Sequence, residues 1–328
     1  MLALSLASNA VCLVSSEQTS VVNKGGNIAA NLFTPLEKPD VFLSLLKKQG
    51  KMGVLHRKHS PETFSRVLGI PIKEVVVTEY SPGKLAYEME KLSYWYWLMQ
   101  RVGGKNCKVR DYPASTDLGT TYDCPGLWMG NSFLAPVVGD TGALFELKQQ
   151  LGCWNALTKQ EQVQGRLYDR IIYSRLDFYW LAPHVALKLL RLELAPVWIP
   201  QGEDYGGVND RHAVLSRYAA SIYLRRFELI QNGTIVQMLT EQPSHKLEGW
   251  NSETFLDKTL AFFQLSVQRY APVQFLACCE KKNSYCFNPN CKECWLHGKK
   301  LRGKYELEMQ AAVQHVADGM TNDYNCSF

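Results

Sequence analysis

Short apolar runs of strand character recur along this chain, with stretches of helical periodicity between them. The runs are AVCLV from Ala10 to Val14, DVFLSLL from Asp40 to Leu46, IKEVVVT from Ile72 to Thr78, a run from Ile171 to Leu176, Val197 to Ile199, and Ala213 to Leu215. Buried strands alternating with helices predict an α/β chain: a mostly parallel, doubly wound, Rossmann-like sheet flanked by helices in a single domain. Ser60 and Pro61 read as the N-cap and first residue of a helix through Leu68. Further helices are expected at 84–102, 143–151, 158–167, 184–192 and 218–231, and one capped by Asn251 through Phe263. A late strand, 267–277, is broken at Pro272. Between Lys105 and Gly142 the chain is rich in glycine and proline, which predicts a long loop or lid.

With 328 residues, 46% of them hydrophobic and 20% charged, the chain has ample core for such a domain. Its formal charge of +5, from 36 Lys and Arg against 31 Asp and Glu, is spread thinly. It lacks the dense basic stripe of a nucleic-acid binder, while a diphosphate ligand would suit it. No apolar stretch reaches the roughly 18 residues of a membrane span. The opening MLALSLASNAVCLVSS has no basic residue before its apolar part and is interrupted by Ser5, Ser8 and Asn9. It reads as a first strand in preference to a signal peptide. An upstream targeting segment would point to the endoplasmic reticulum or Golgi lumen, and its lack to the cytoplasm.

Three segments carry candidate chemistry. In YDRIIYSRLDF, residues two apart share a strand face, so Tyr173, Arg175 and Asp177 point one way. Asp177 then sits at the carboxyl edge of the sheet, where open α/β sheets bind ligands. There it would suit a divalent cation, or else cap the next turn and pair with Arg175. In GEDYGGVNDR, Gly202 to Arg211, glycines permit close backbone approach, and the acidic and amide side chains suit sugar hydroxyls. A solvated acidic turn has the same composition. In WNSETFL, Glu253 lies in the first turn of a helix, placed either as a general base or as a capping group.

Taken in order, SRLD, GEDYGGVNDRHAV and NSETFL resemble nucleotide-sugar glycosyltransferases of the GT-A type, notably those of algae and large algal viruses. AVCLVSSEQ and NLFTPLEKPDVFLSL are similar to the strands that open such domains. The resemblance implies a GT-A-like domain over 10–275 with a Cys-rich C-terminal extension over 276–328. It implies transfer of a hexose or pentose from a nucleotide-diphosphate sugar to a hydroxyl of a glycan or glycoprotein. Carried over, it makes Asp177 the ligand of Mn²⁺ or Mg²⁺ on the diphosphate. Donor binding falls to Arg175, Asp177, Ser15, Gly207 and Asn209, with Gly207 leaving room for the donor. Acceptor binding falls to Asp204, Tyr205 and Arg211, and catalysis to Glu253 and Asp210. One departure is Arg175-Leu-Asp177 where the family has Asp-x-Asp; it weakens the expected metal site or lets Arg175 neutralise phosphate itself. His297 and His315 are the candidates for a further ligand. Two other readings stay open: a catalytically silent carbohydrate-binding relative, and a hydrolase built on Asp177, Asp204 and Asp210.

Ten cysteines and two sequons, at Asn232 and Asn325, bear on the chain's redox setting. Cys278, Cys279, Cys286, Cys291 and Cys294 crowd together. Disulfides are the favoured use; a zinc site on Cys286, Cys291 and Cys294, or unpaired thiols, are the alternatives.

Overall fold

The computed structural model describes residues 9–15, 27–36, 39–48, 60–80, 88, 91–94, 108–111, 120–123, 143–241, 251–278, 291–296, 299–319 and 324–327. Along the chain these form β1 (Asn9–Ser15), β2 (Asp40–Lys48), α1 (Pro61–Leu68), β3 (Ile72–Tyr80), β4 (Lys108–Asp111), β5 (Thr120–Asp123), α2 (Ala143–Gln164) and β6 (Arg170–Arg175). They continue with β7 (Phe178–Trp180), β8 (Val197–Pro200), β9 (His212–Ser216), α3 (Arg217–Tyr223), α4 (Arg226–Gln231), α5 (Thr234–Glu241), α6 (Ser252–Phe262), β10 (Val267–Tyr270) and β11 (Gln274–Leu276). Last come β12 (Lys292–Leu296), β13 (Lys299–Gly303), α7 (Glu306–Asp318) and β14 (Tyr324–Ser327).

Seven strands form one sheet in the order β10-β8-β9-β6-β1-β2-β3. All run parallel except β9, which is antiparallel to both β6 and β8. The expected mostly parallel α/β sheet is therefore present. From β1 the chain builds outward to β2 and β3 on one side and later to β6 on the other. The switch point lies between β1 and β6, at their carboxyl ends. Because β9 enters from that same edge, residues just before it join the site.

Alternation along β1 shows why both faces are covered. Val11 and Leu13 pack into one apolar cluster with Phe64 and Leu68 of α1 and Met309, Ala312 and Val313 of α7. Ala10, Cys12 and Val14 enter the other with Cys153 and Leu157 of α2 and Leu256 of α6. The result is helix, sheet, helix. On this second face a disulfide joins Cys12 of β1 to Cys153 of α2.

Several local expectations hold. Ser60 accepts a hydrogen bond from the Thr63 amide and Pro61 opens α1; Asn251 accepts one from the Thr254 amide to cap α6. The late strand divides at Pro272 into β10 and β11. Others are corrected. The helices expected at 143–151 and 158–167 are one helix, α2. Gly152 lies inside it because a Cβ there would sit 3.1 Å from Val76 Cγ1; the glycine lets the helix lie close on the sheet. The helix expected at 184–192 is only a short 3₁₀ turn, Leu187–Leu189. In that turn the Leu189 and Leu190 amides donate three residues back, to Ala186 O and Leu187 O, and just beyond it Arg170 donates to Leu190 O and Trp198 to Arg191 O. The helix expected at 218–231 breaks into α3 and α4, which lets Arg226 turn inward. The expected helix at 84–102 and the lid at 105–142 lie mostly outside the described residues; within the latter, β4 and β5 pair antiparallel.

The segment after Leu276 adds more than cysteines. Strands β13, β12 and β14 form a small antiparallel sheet, and α7 packs into the main core with Cys294, Leu296 and Leu301. Cys278 is bonded to Cys291, and Cys294 is also disulfide-bonded. Two of the three proposed zinc ligands, Cys291 and Cys294, are thus used in disulfides; Cys286 lies outside the described residues.

Candidate active site

At the carboxyl end of β6, Arg175 donates to both oxygens of Asp177, Nε to Oδ1 at 3.0 Å and Nη2 to Oδ2 at 2.8 Å. Its third nitrogen, Nη1, lies 3.5 Å from Glu146 Oε2 on α2. Tyr173, on the same strand face, donates to Glu146 Oε1 at 2.9 Å and accepts from Gln150. Burial pushes the Glu146 carboxyl above its ordinary range, while Arg175 pulls it down. The pairing with Asp177 and Glu146 keeps the Arg175 guanidinium charged despite its burial.

The loop before β9 is folded on its own polar groups. Asp204 accepts from the Asn209 amide at 2.9 Å and pairs with Arg269 of β10 at 2.8 Å. Tyr205 and Gly206 take left-handed conformations, with φ of +46° and +81°. The Tyr205 carbonyl accepts from Asn251 at 2.9 Å, which ties the loop to the start of α6. Val208 donates to Glu253 O at 3.1 Å. A Cβ on Gly207 would lie 2.2 Å from Glu253 backbone atoms. The room left by Gly207 is therefore filled by α6, which corrects the expectation that it makes space for a donor sugar. Asn209 is buried and accepts from the Arg211 amide at 3.1 Å.

Arg211, 1% exposed, is the hub. Its Nε donates to Glu308 Oε2 and its Nη1 to Glu253 Oε1, both at 3.0 Å, and its Nη2 donates to Glu203 O at 2.6 Å. Its guanidinium carbon lies 4.8 Å from the centre of the Tyr305 ring and 5.7 Å from that of Tyr205. Arg211 is thus engaged through all three of its guanidinium nitrogens within the protein. Glu253, 7% exposed, also accepts from Ser252 at 3.1 Å. Burial, reinforced by nearby Asp210 and opposed by Arg211, raises its carboxyl to about 7. Asp210 is 3% exposed; its Oδ2 forms an ion pair with Arg226 Nη2 at 3.9 Å and accepts no hydrogen bond from the described residues.

Ser15 ends β1 at this edge; its side chain is outside the description. Asp177 is the sheet-edge carboxylate expected to hold a metal, but Arg175 already donates to both its oxygens. Among the described residues, no group of three or more His, Cys, Asp or Glu could hold a metal ion. His315 lies exposed on α7, and His297 lies outside the described residues. The hydrolase cluster of Asp177, Asp204 and Asp210 does not form, since Asp204 is turned to Arg269.

Glu146, Glu308, Tyr305 and Arg226 belong to the site and were missed from sequence. Glu308 carried a signal, since it shares the apolar face of α7 with Ala312 four residues on. A charged residue on a buried stripe needs a partner.

A family model described as a domain of unknown function (DUF7796) matches residues 141–298, the stretch that holds Glu146, Arg175, Asp177, Arg211 and Glu253. No curated protein matches the chain. Among solved structures, that of mouse xyloside xylosyltransferase 1, apo form, is similar over 81% of this chain and 85% of that one, at 10% identity and a TM-score of 0.36. No helix among the described residues is long and apolar enough to cross a membrane.

Proposed function

We propose that the chain is a GT-A-type glycosyltransferase that moves a sugar from a nucleotide-diphosphate donor to a hydroxyl of a glycan or glycoprotein. One observation carries this reading: Arg175 and the carboxylates Asp177, Asp210 and Glu253 gather at the edge of the sheet that holds the switch point. That edge is where open α/β sheets bind ligands, and a cation beside buried carboxylates is what diphosphate departure and hydroxyl activation need.

In this reading the donor diphosphate binds at the ends of β1 and β6. Arg175 turns part of its fork from Asp177 to the phosphate oxygens, neutralising charge as the bond from sugar C1 to phosphate oxygen breaks. In an inverting reaction the acceptor oxygen bonds to C1 and its proton passes to Glu253, with Asp210 the other candidate base. A retaining reaction needs no such base. The Mn²⁺ or Mg²⁺ expected from the resemblance enters as a variable of the test, with no step assigned to it.

The test is thermal stability against a panel of UDP- and GDP-sugars, with Mn²⁺ or EDTA, on wild type and Asp177→Ala. A ligand at 100 times its Kd adds about 2.7 kcal/mol, a readily measured shift. A nucleotide-specific rise supports the reading, and its survival in EDTA assigns the phosphate to Arg175. No rise with any nucleotide sinks it. The pairing of Arg175 with Asp177 favours one second reading, a silent carbohydrate-binding relative. Free glycans would then stabilise the protein and nucleotide sugars would not.

A further inference from the structure

We propose that Glu308 is a positioning residue for Glu253: from the C-terminal helix it grips one edge of the Arg211 guanidinium and so holds the other edge against the Glu253 carboxylate. The proposal rests on the reading of Glu253 as the acceptor's base.

The geometry is a fork between two acids. Arg211 gives Nε to Glu308 and Nη1 to Glu253, and its Nη2 also lies 3.0 Å from Glu308 Oε2. The second Glu308 oxygen accepts from the Leu276 amide at 2.8 Å, so the carboxylate is anchored to β11. The start of α7 is fixed as well: the Leu307 amide donates to Glu203 Oε1 at 2.8 Å, and the Tyr305 ring covers the guanidinium. Gly303 lets Met309 seat below, since a Cβ there would lie 2.6 Å from its sulfur. Arg211 therefore cannot leave Glu253 without breaking its bonds to Glu308. A planar five-donor fork suits such a bridge, and a lysine would not span it.

Sharing one cation between two acids has a consequence for Glu253. Its charged and titratable surroundings are Arg211 and Asp210 before β9, Glu308 and Tyr305 from the α7 region, and Arg226 of α4, which donates to Ser252 O at 3.2 Å. Removing the Glu308 charge leaves Arg211 to Glu253 alone, which favours the ionised Glu253.

The experiment is a pH titration of the full chain labelled with ¹³C at glutamate carboxyls, followed by NMR without substrate, with Glu253→Gln assigning its resonance. In Glu308→Gln the Glu253 midpoint is expected to fall by about one pH unit. Glu308→Gln keeps an oxygen for Arg211 to donate to, whereas Glu308→Ala removes the grip with the charge and frees Arg211 from Glu253, so its midpoint is expected above that of Glu308→Gln. An unchanged or raised midpoint in Glu308→Gln, or equal midpoints in the two variants, overturns the proposal and leaves Glu308 a plain brace. Should Glu308→Gln not fold, the wild type still decides. A Glu253 resonance that responds to the ionisation of Glu308 supports the bridge, and a single independent step refutes it. No donor or acceptor enters this measurement, so its failure is separate from failure of the transferase reading.

Discussion

Glu253 concentrates the chemistry of single residues. Its carboxyl is raised to about 7 because burial outweighs the Arg211 charge. Between the ordinary carboxylate value and about 7, the folded chain holds a proton that the unfolded chain has lost. Its contribution to stability is therefore complete at low pH and disappears as pH rises through about 7. Glutamine has no such proton. The melting temperature of Glu253→Gln minus that of wild type should thus rise between pH 4.5 and 7.5 in a thermal-denaturation series. A flat difference would show that Glu253 does not titrate in that window. Neighbouring Asp210 was legible as an acid near the site. That it is buried and paired with Arg226 of α4 was not, because that contact depends on how α4 packs against the sheet edge.

Contact between the 202–211 loop and α6 belongs to the scale of elements. Sequence suggested that the glycines admit a ligand; the structure shows that Gly207 admits the first turn of the helix instead. Gly207→Ala forces backbone atoms apart, at a cost of about 3 kcal/mol, the upper part of the overpacking range. Gly165, at φ +66°, is the control, because a Cβ there would meet no atom within 4 Å. Alanine at that position meets only left-handed strain, about 1 kcal/mol. Urea denaturation of both variants checks the ranking, and equal losses would mean that the loop can move away from α6. The caps at Ser60 and Asn251 were readable because capping is local, one side chain to an amide three residues on. The 3₁₀ turn in place of a helix at 184–192 was not. Its apolar pattern suits a helix, but the segment is held from outside: the His184 amide donates to Asn31 O, and Arg170 and Trp198 reach the Leu190 and Arg191 carbonyls from β6 and β8.

At the scale of the whole molecule, the Cys12–Cys153 disulfide closes a loop of 141 residues between the central strand and α2. By loop entropy alone its loss should lower stability by about 5 kcal/mol, an upper figure. Denaturant midpoints of wild type and the Cys12→Ala/Cys153→Ala double variant test this. A change below about 1 kcal/mol would mean that helix and sheet are held by packing alone. The sequence by itself determined the alternation of strands and helices, the parallel sheet and the placing of Arg175 and Asp177 at a strand end, because periodicity and strand alternation act over a few residues. Only the tertiary structure decided that Arg175 closes on Asp177, that α7 returns to the site, and that Glu308 and Glu253 share Arg211. Those pairings join residues up to 97 positions apart, and a buried charge takes whichever partner the packed core brings to it.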